Sequence, residues 1–285
     1  MIIFRILGKI LDYIQNHFKA MLFLLLLFLV FVPLGSEKLQ SPNLSIIKIE
    51  GEIGNIDGIM TQINSAANNP NIKGVLLKVN SPGGALAPSV ELSMAIKRLS
   101  KIKPVIAYAC GSMASGSYYA SIWANKIIAN PGAFIGSIGV LFQAPNIAKL
   151  AKKIGISEQI VTAGEYKQMG TFTRKWTPKE KMALKNLIDD AYAMFIKDVS
   201  NARKLDPKKY KTFADAKVFM AKKAKKVGLI DEVGSIYTAK RKLIAESGVT
   251  TPIWQKPDII DQLMKEIKAS THLSFSFENL VGKLR

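Results

Sequence analysis

"GVLLKVN" (Gly74–Asn80) and "PVIAYAC" (Pro104–Cys110) are two short apolar runs that flank a single helical pattern. Between them Leu92, Ile96 and Leu99 recur at helical spacing after Pro88, which predicts a helix packed on a sheet. An earlier run, "LSIIKIEG" (Leu44–Gly51), has the same buried-strand character. Strand, helix and strand in repetition imply an α/β fold with a mainly parallel sheet. "KIIAN" (Lys126–Asn130) and "GSIGVLF" (Gly136–Phe142) predict further short strands. A long helix is expected from Thr177: Thr177 and Glu180 form a T-x-x-E capping box and Pro178 takes the first helical position. Its apolar stripe is Leu184, Ile188, Ala191 and Phe195. A basic helix near 216–226 then leads to a last strand-like segment, "GLIDEVG" (Gly228–Gly234). The tail, residues 250–285, carries "HLSFSF" (His272–Phe277), readable as a small strand or a partner-binding segment.

A chain of 285 residues suits one large domain with an appendage, and a 48% hydrophobic composition supports a substantial core. The single cysteine, Cys110, excludes an internal disulfide and a multi-cysteine zinc site. The net charge of +19 raises the question of nucleic acid. The lysines, however, spread through 147–226 ("KLAKKIG", "KKYK", "KKAKK") without interleaved aromatics or a nucleic-acid motif. Charge spread over a solvated surface is the better reading, a basic surface beside an anionic membrane stands at least level with nucleic acid, and no nucleic-acid partner is expected.

The appendage is N-terminal. Ala20 to Leu34, "AMLFLLLLFLVFVPL", is 15 residues without a polar side chain. That is roughly 23 Å of helix, short of a full span unless the flanks contribute. The preceding leader places Ile3, Ile6/Leu7, Ile10, Ile14 and Phe18 at helical spacing beside Arg5, Lys9 and Lys19. Residues 1–35 are therefore expected to form an amphipathic leader and transmembrane signal anchor, with 36–43 as a tether. A cleaved signal peptide is the alternative, but "VPLGSEKLQS" lacks an A-x-A-like site. Positive charge ahead of the span puts the N-terminus inside and the bulk of the chain outside.

The chemistry centres on "ACGSMASGSYYAS" (Ala109–Ser121), with four serines. It is not a phosphate loop, because Ser117 and Tyr118 stand where Lys and Ser/Thr are required. Nor is it a G-x-S-x-G elbow, because Met113 replaces the first glycine. The small residues around Ser115 still suit a strand-to-helix turn where backbone approaches substrate. A serine needs a base, and the two histidines, His17 in the leader and His272 in the tail, are poorly placed for a triad. A lysine is the remaining kind of base, provided it is desolvated so that the neutral amine is favoured. Among so many lysines, composition does not say which.

"VNSPGG" (Val79–Gly84), "MASGSYYAS" (Met113–Ser121), "GSIGV" (Gly136–Val140) and "AGEYKQMGTFTRKWTPKEK" (Ala163–Lys181) resemble, in order and spacing, the signal peptide peptidase A family of S49 serine proteases. "KKVGLIDEVG" (Lys225–Gly234) is similar to that family's closing segment, and the resemblance covers about residues 44–240. It implies a crotonase/Clp-protease-like fold over residues 44–249, with Ser115 as nucleophile and Lys167 as general base. It also implies that Ser137 orients the lysine and that Gly83 or Gly84, together with Gly116, supplies the oxyanion amides. No metal or cofactor is called for. The implied substrates are cleaved signal peptides and other apolar peptides in the bacterial inner (cytoplasmic) membrane, with the catalytic domain on the periplasmic side. Short members form homo-oligomeric rings in which serine and lysine come from neighbouring protomers. Two departures stand out: Ser117 replaces a common second glycine, adding a competing hydroxyl, and Met220–Ala221 replace a polar-glycine turn. Three rival readings are a protease working with a stomatin-like partner, a crotonase-type acyl-CoA enzyme, and a non-enzymatic membrane scaffold.

Overall fold

The computed structural model describes residues 2–31 and 41–255, with side chains described from 12 to 27 and from 41 onward. The chain divides between Ser41 and Pro42 into two units. The first holds one continuous helix, α1 (Ile2–Phe31). Its side chains from Met21 to Leu27 are exposed and apolar. Among the described residues no helix is long and apolar enough to cross a membrane. The expected transmembrane helix is not shown among the described residues; the run that suggested it continues through Val32–Leu34, outside them.

The second unit is the α/β body that the alternation of runs predicts. Its strands are β1 (Leu44–Ile53), β2 (Gly74–Gly84), β3 (Val105–Ala114), β4 (Lys126–Ala129), β5 (Phe134–Gly136), β6 (Val218–Met220) and β7 (Glu232–Val233). The sheet runs β1-β2-β3-β4-β7, and all of these neighbours pair in parallel. β3 changes partner part-way: Ile106–Ala109 pair with β4, and Ser112–Ala114 pair with β5. β6 then adds antiparallel to β5.

Two-sided burial explains why the central strands read as unbroken apolar runs. Val75, Leu77 and Val79 of β2 join the larger core with Val105, Ala107 and Ala109 of β3. The intervening Leu76, Ile106 and Tyr108 point to the opposite face. On the larger side lie α2 (Asp57–Asn68), α3 (Leu86–Ser100) and α4 (Gly116–Ser121). Leu92, Ile96 and Leu99 of α3 are fully buried there, as their spacing predicts. The smaller side is covered by Ala239 and Leu243 of α8 (Ile236–Ser247), with Trp254 packed against it. The start of the tail is tied back to β1, since Asn43 and Leu44 N–H donate to Ile253 O and Gln255 N–H donates to Leu44 O.

Three expectations are corrected. "GSIGVLF" is not a strand: β5 ends at Gly136, because Gly136 (φ 105°) and Ser137 (φ 49°) turn the backbone out of extended geometry. The basic helix is shorter than 216–226, because β6 occupies Val218–Met220 and only α7 (Ala221–Lys226) is helical. β2 runs four residues beyond the expected end at Asn80, so "SPGG" forms the end of the strand. "HLSFSF" lies outside the described residues.

The long helix is α6 (Pro178–Arg203), preceded by the short α5 (Ala148–Lys153). Its capping box is formed as expected: Glu180 N–H donates to Thr177 Oγ1 at 3.2 Å, and Thr177 N–H donates to Glu180 Oε2 at 2.7 Å.

Candidate active site

Ser115 sits alone between β3 and α4 with φ 51° and ψ −124°. A serine in this region carries strain of about 1–3 kcal/mol, which the surrounding structure must hold in place. The hold is visible in the backbone: Ser115 N–H donates to Gly136 O at 2.8 Å, and Tyr119 N–H donates to Ser115 O at 2.9 Å. Its hydroxyl caps nothing, because α4 begins without a side-chain cap. The ordinary reason for a serine at a helix start is therefore missing here.

The glycines of "SPGG" meet this turn directly. A methyl group on Gly83 (φ 102°) would stand 2.7 Å from Ser115 Cβ and 2.6 Å from Gly116 N, so only glycine fits. A methyl group on Gly116 would stand 3.3 Å from Gly84 N and collide with the Ser89 hydroxyl. The two candidate amides of "SPGG" are not equivalent. Gly83 N–H is engaged, donating to Ser81 Oγ at 3.1 Å. Ala85 N–H donates to Ile53 O at 2.8 Å, so strand alternation turns the Gly84 amide toward the opposite edge, where Gly116 lies.

Ser137 is brought to the same place by register. Ala114 pairs with Gly136, which sets Ser115 and Ser137 side by side at the ends of their strands. Ser137 N–H is held by Lys217 O at 2.8 Å. The other serines have structural duties. Ser117 is fully buried: its Oγ accepts from Ala114 N–H at 2.9 Å and lies 2.7 Å from Ser81 O and 2.9 Å from Ala114 O as acceptors. Expected to compete with Ser115, it instead ties β2 to the turn. Ser121 Oγ donates to Ser117 O at 2.8 Å, and Ser112 N–H is bound by Asn80 Oδ1 at 3.0 Å. Tyr118 and Tyr119 enter the first turn of α4, with their hydroxyls donating to Leu229 O and to Asp198 Oδ2. Burial raises both phenols above their ordinary range, and the Asp198 hydrogen bond raises Tyr119 further.

Lys167 lies in a different setting. It is exposed, on a loop bracketed by Gly164 (φ 96°) and Gly170 (φ 90°), with its N–H donating to Gly164 O at 3.2 Å. Among the described residues no hydrogen bond joins it to Ser115, Ser137 or the glycines. One chain thus assembles Ser115, Ser137, Gly83, Gly84 and Gly116 and leaves Lys167 on its surface.

The loop is nevertheless anchored. Arg174 forks onto Glu180 through Nη1 at 2.9 Å and Nη2 at 2.7 Å, and Nη2 also reaches Gln168 Oε1 at 3.4 Å. Trp176 Nε1 donates to Thr171 O at 2.7 Å, and its ring packs on Phe142. The Arg174 guanidinium, with help from the Thr177 amide, holds the Glu180 carboxyl down at about 2. Sequence reasoning had Glu180 only as a capping residue. It missed the anchoring role, and it missed Ser81 and Ser89 behind the glycines. The signal for Ser81 was its place in "SPGG"; nothing local marked Ser89.

With this geometry in view, the likeness to known proteins has a structural meaning. The profile described as Peptidase family S49 matches residues 97–250, a span containing Ser115, Gly116, Ser137 and Lys167. The chain belongs to peptidase family S49. Among its relatives in the family's sequences, it is 37% identical over 212 residues to the candidate protease MJ0651 of Methanocaldococcus jannaschii, covering 74% of this chain and 67% of that protein. It is 30% identical over 197 residues to a candidate signal peptide peptidase SppA of Enterococcus faecium, covering 69% of this chain and 57% of that one. The matched region therefore spans about six tenths of such relatives. Among solved structures, a mutant of the membrane-bound stomatin-specific protease 1510-N superposes with a TM-score of 0.51 at 16% identity, covering 76% of this chain and 99% of that one. At that identity the likeness concerns the fold, and it is consistent with the Clp-protease-like arrangement expected of this S49 member.

Proposed function

We propose that this S49 member is a membrane-anchored serine endopeptidase that uses a Ser115–Lys167 dyad on apolar peptides, cleaved signal peptides above all. Ser115 Oγ attacks the peptide carbonyl carbon while the neutral Lys167 amine takes its proton. The oxyanion is held by the N–H groups of Gly84 and Gly116, with Gly83 giving the close approach. Lys167 returns the proton to the leaving amine, and water then hydrolyses the Ser115 ester by the reverse path. The observation that carries this reading is Ser115 itself: a strained, non-capping serine pressed against two glycines at a strand-to-helix turn. A free amide beside a nucleophile typically supplies about 3 kcal/mol of transition-state stabilisation.

A lysine base must be taken out of water, and Lys167 is exposed in the single chain. We assign its cover to a second copy of this chain in a homo-oligomeric ring. The segment around the lysine supports this, because Phe142, Leu150, Ile154, Ile156, Val161 and Phe172 are all exposed. Apolar side chains left open within one segment, 142–172, are the material of an interaction site. The anchor reading rests on the apolar run that begins within α1 and continues to Leu34. It places the N-terminus on the cytoplasmic side of the inner membrane and the catalytic unit outside.

The test is cleavage of an apolar fluorogenic peptide by the full chain in detergent. Ser115→Ala and Lys167→Ala should each lower kcat/KM by roughly three orders of magnitude or more while leaving thermal unfolding unchanged. Wild-type rate should rise with pH as the base loses its proton. Full activity in either variant would sink the dyad. Stabilisation by coenzyme A in a thermal-shift assay would instead favour the acyl-transfer alternative.

A further inference from the structure

We infer that the C-terminal half of α6, the turn at Pro207–Thr212 and α7 together form a binding face for an anionic phospholipid, distinct from the protease site. Between residues 203 and 226 the chain carries ten basic side chains against two acidic ones. Lys204, Lys208, Lys209, Lys222, Lys225 and Lys226 are exposed, and none of them has a carboxylate partner among the described residues. The two acids of this stretch do little to offset them, since Asp215 lies 3.5 Å from Lys217 and Asp206 is engaged as the cap of the Pro207 turn.

The parts of this face touch one another. Arg203 Nε donates to Gly228 O at 3.3 Å, and Leu205 packs against Gly228, so the end of α6 sits against the residues that follow α7. Lys217 Nζ donates to Lys211 O at 2.8 Å, joining the turn to the strand that precedes α7. Beside the lysines lies a hollow of about 270 Å³ lined by Ala193, Ile196, Lys197, Ser200, Asn201 and Pro207. Its α6 residues follow the spacing of one helical face, and Pro207 closes it from the turn.

The hollow is apolar, lined by Ala193, Ile196 and Pro207 together with Lys197. Ser200 is only 4% exposed and its Oγ is itself buried, so the hollow offers apolar surface and not this hydroxyl. An apolar hollow beside lysines without carboxylate partners suits a ligand with an apolar chain and a negative headgroup. Single-stranded nucleic acid fits less well, because it binds on aromatic stacking surfaces, and the one aromatic of the turn, Tyr210, packs edge-on against Tyr192. A lipid surface carrying phosphatidylglycerol supplies both features, and polybasic segments are drawn to such surfaces.

The experiment uses the full-length Ser115→Ala chain in nanodiscs, either of phosphatidylcholine alone or with phosphatidylglycerol added. Acetylation of each lysine by a water-soluble reagent is read by mass spectrometry. Labelling of Lys204, Lys208, Lys222 and Lys225 should fall several-fold in the anionic discs and recover in high salt, while Lys185, far along α6, should not change. Ala193→Phe, which fills the hollow, should weaken the protection and leave unfolding unaltered. Equal labelling in both lipids would overturn the proposal, as would uniform protection of all lysines or protection by an RNA oligonucleotide without any by the lipid. Peptide cleavage by the wild-type chain is scored separately, so failure of the lipid face and failure of the protease reading are told apart.

Discussion

The Ser115 turn and the Lys167 loop carry the two halves of one proposed dyad, yet they are built in opposite ways. Ser115 is locked by backbone hydrogen bonds to β5 and α4, backed by buried Ser117 and pressed by Gly83. Lys167 rides on an exposed loop whose apolar neighbours face solvent, tied by the Glu165–Lys179 pair, by Arg174 on Glu180 and Gln168, and by Trp176 on Thr171 O. The nucleophile side is complete within one chain. The base side has an anchor but no cover. The contrast locates what the proposed dyad lacks in one chain: cover over the Lys167 loop, which the proposed ring would supply.

The sharpest way to break this comparison is complementation. Ser115→Ala and Lys167→Ala chains, each inactive alone, should regain measurable peptide cleavage when co-assembled, because one supplies the serine and the other the lysine. Absence of recovery in verified mixed assemblies would place both groups in the same chain. A smaller but still large effect is expected on the locked side. Gly83→Ala drives a methyl group into Ser115 and Gly116, and a displacement of this kind should lower kcat by roughly a hundredfold in the peptide assay.

The anchored end of the Lys167 loop offers a pH handle. Glu180 is held at about 2, well below its ordinary 4.5. A depressed carboxyl contributes stability that is present above its unfolded value and lost as pH falls through the folded one. The thermal midpoint of the wild type should therefore drop between about pH 4.5 and 2, and Glu180→Gln should flatten that part of the profile. An unchanged profile would mean that the Arg174 fork does not hold the loop. The smallest effect belongs to the fully buried Ser117. Ser117→Ala leaves the Ala114 amide without its partner and should cost about 1–3 kcal/mol in denaturant unfolding. Cleavage by the folded fraction should persist, since its hydroxyl serves the turn and not the substrate.

Much of this was legible in the chain. The runs at 74–80 and 104–110 announce strands buried on both faces, because nearly every residue along them is apolar when helices cover the sheet on either side. The run at 44–51 carries Lys48 and Glu50, which are exposed on the edge strand β1. The Thr177–Glu180 box was equally plain, since its partners lie three residues apart and need nothing from the rest of the molecule. The strand expected at "GSIGVLF" failed for a related reason. Its composition is extended-friendly, but Ser137 adopts a positive φ that only its tertiary neighbours, the Lys217 carbonyl and the adjoining β3 end, can hold. The anchoring fork of Arg174 escaped notice because Glu180 already had a local role.

What the sequence by itself determined was the α/β class, the parallel core and the presence of a small-residue turn with Ser115 at its centre. Those depend on periodicity and residue size, which are local properties. Only the tertiary structure decided that Ser117 and Ser121 spend their hydroxyls on backbone groups while Ser115 caps nothing, that Gly83 presses on Ser115 and Gly116, and that Lys167 lies exposed on a separate loop. Each of these depends on which strand ends meet and which hydrogen bonds are already satisfied. Such matters are settled between residues far apart in the sequence.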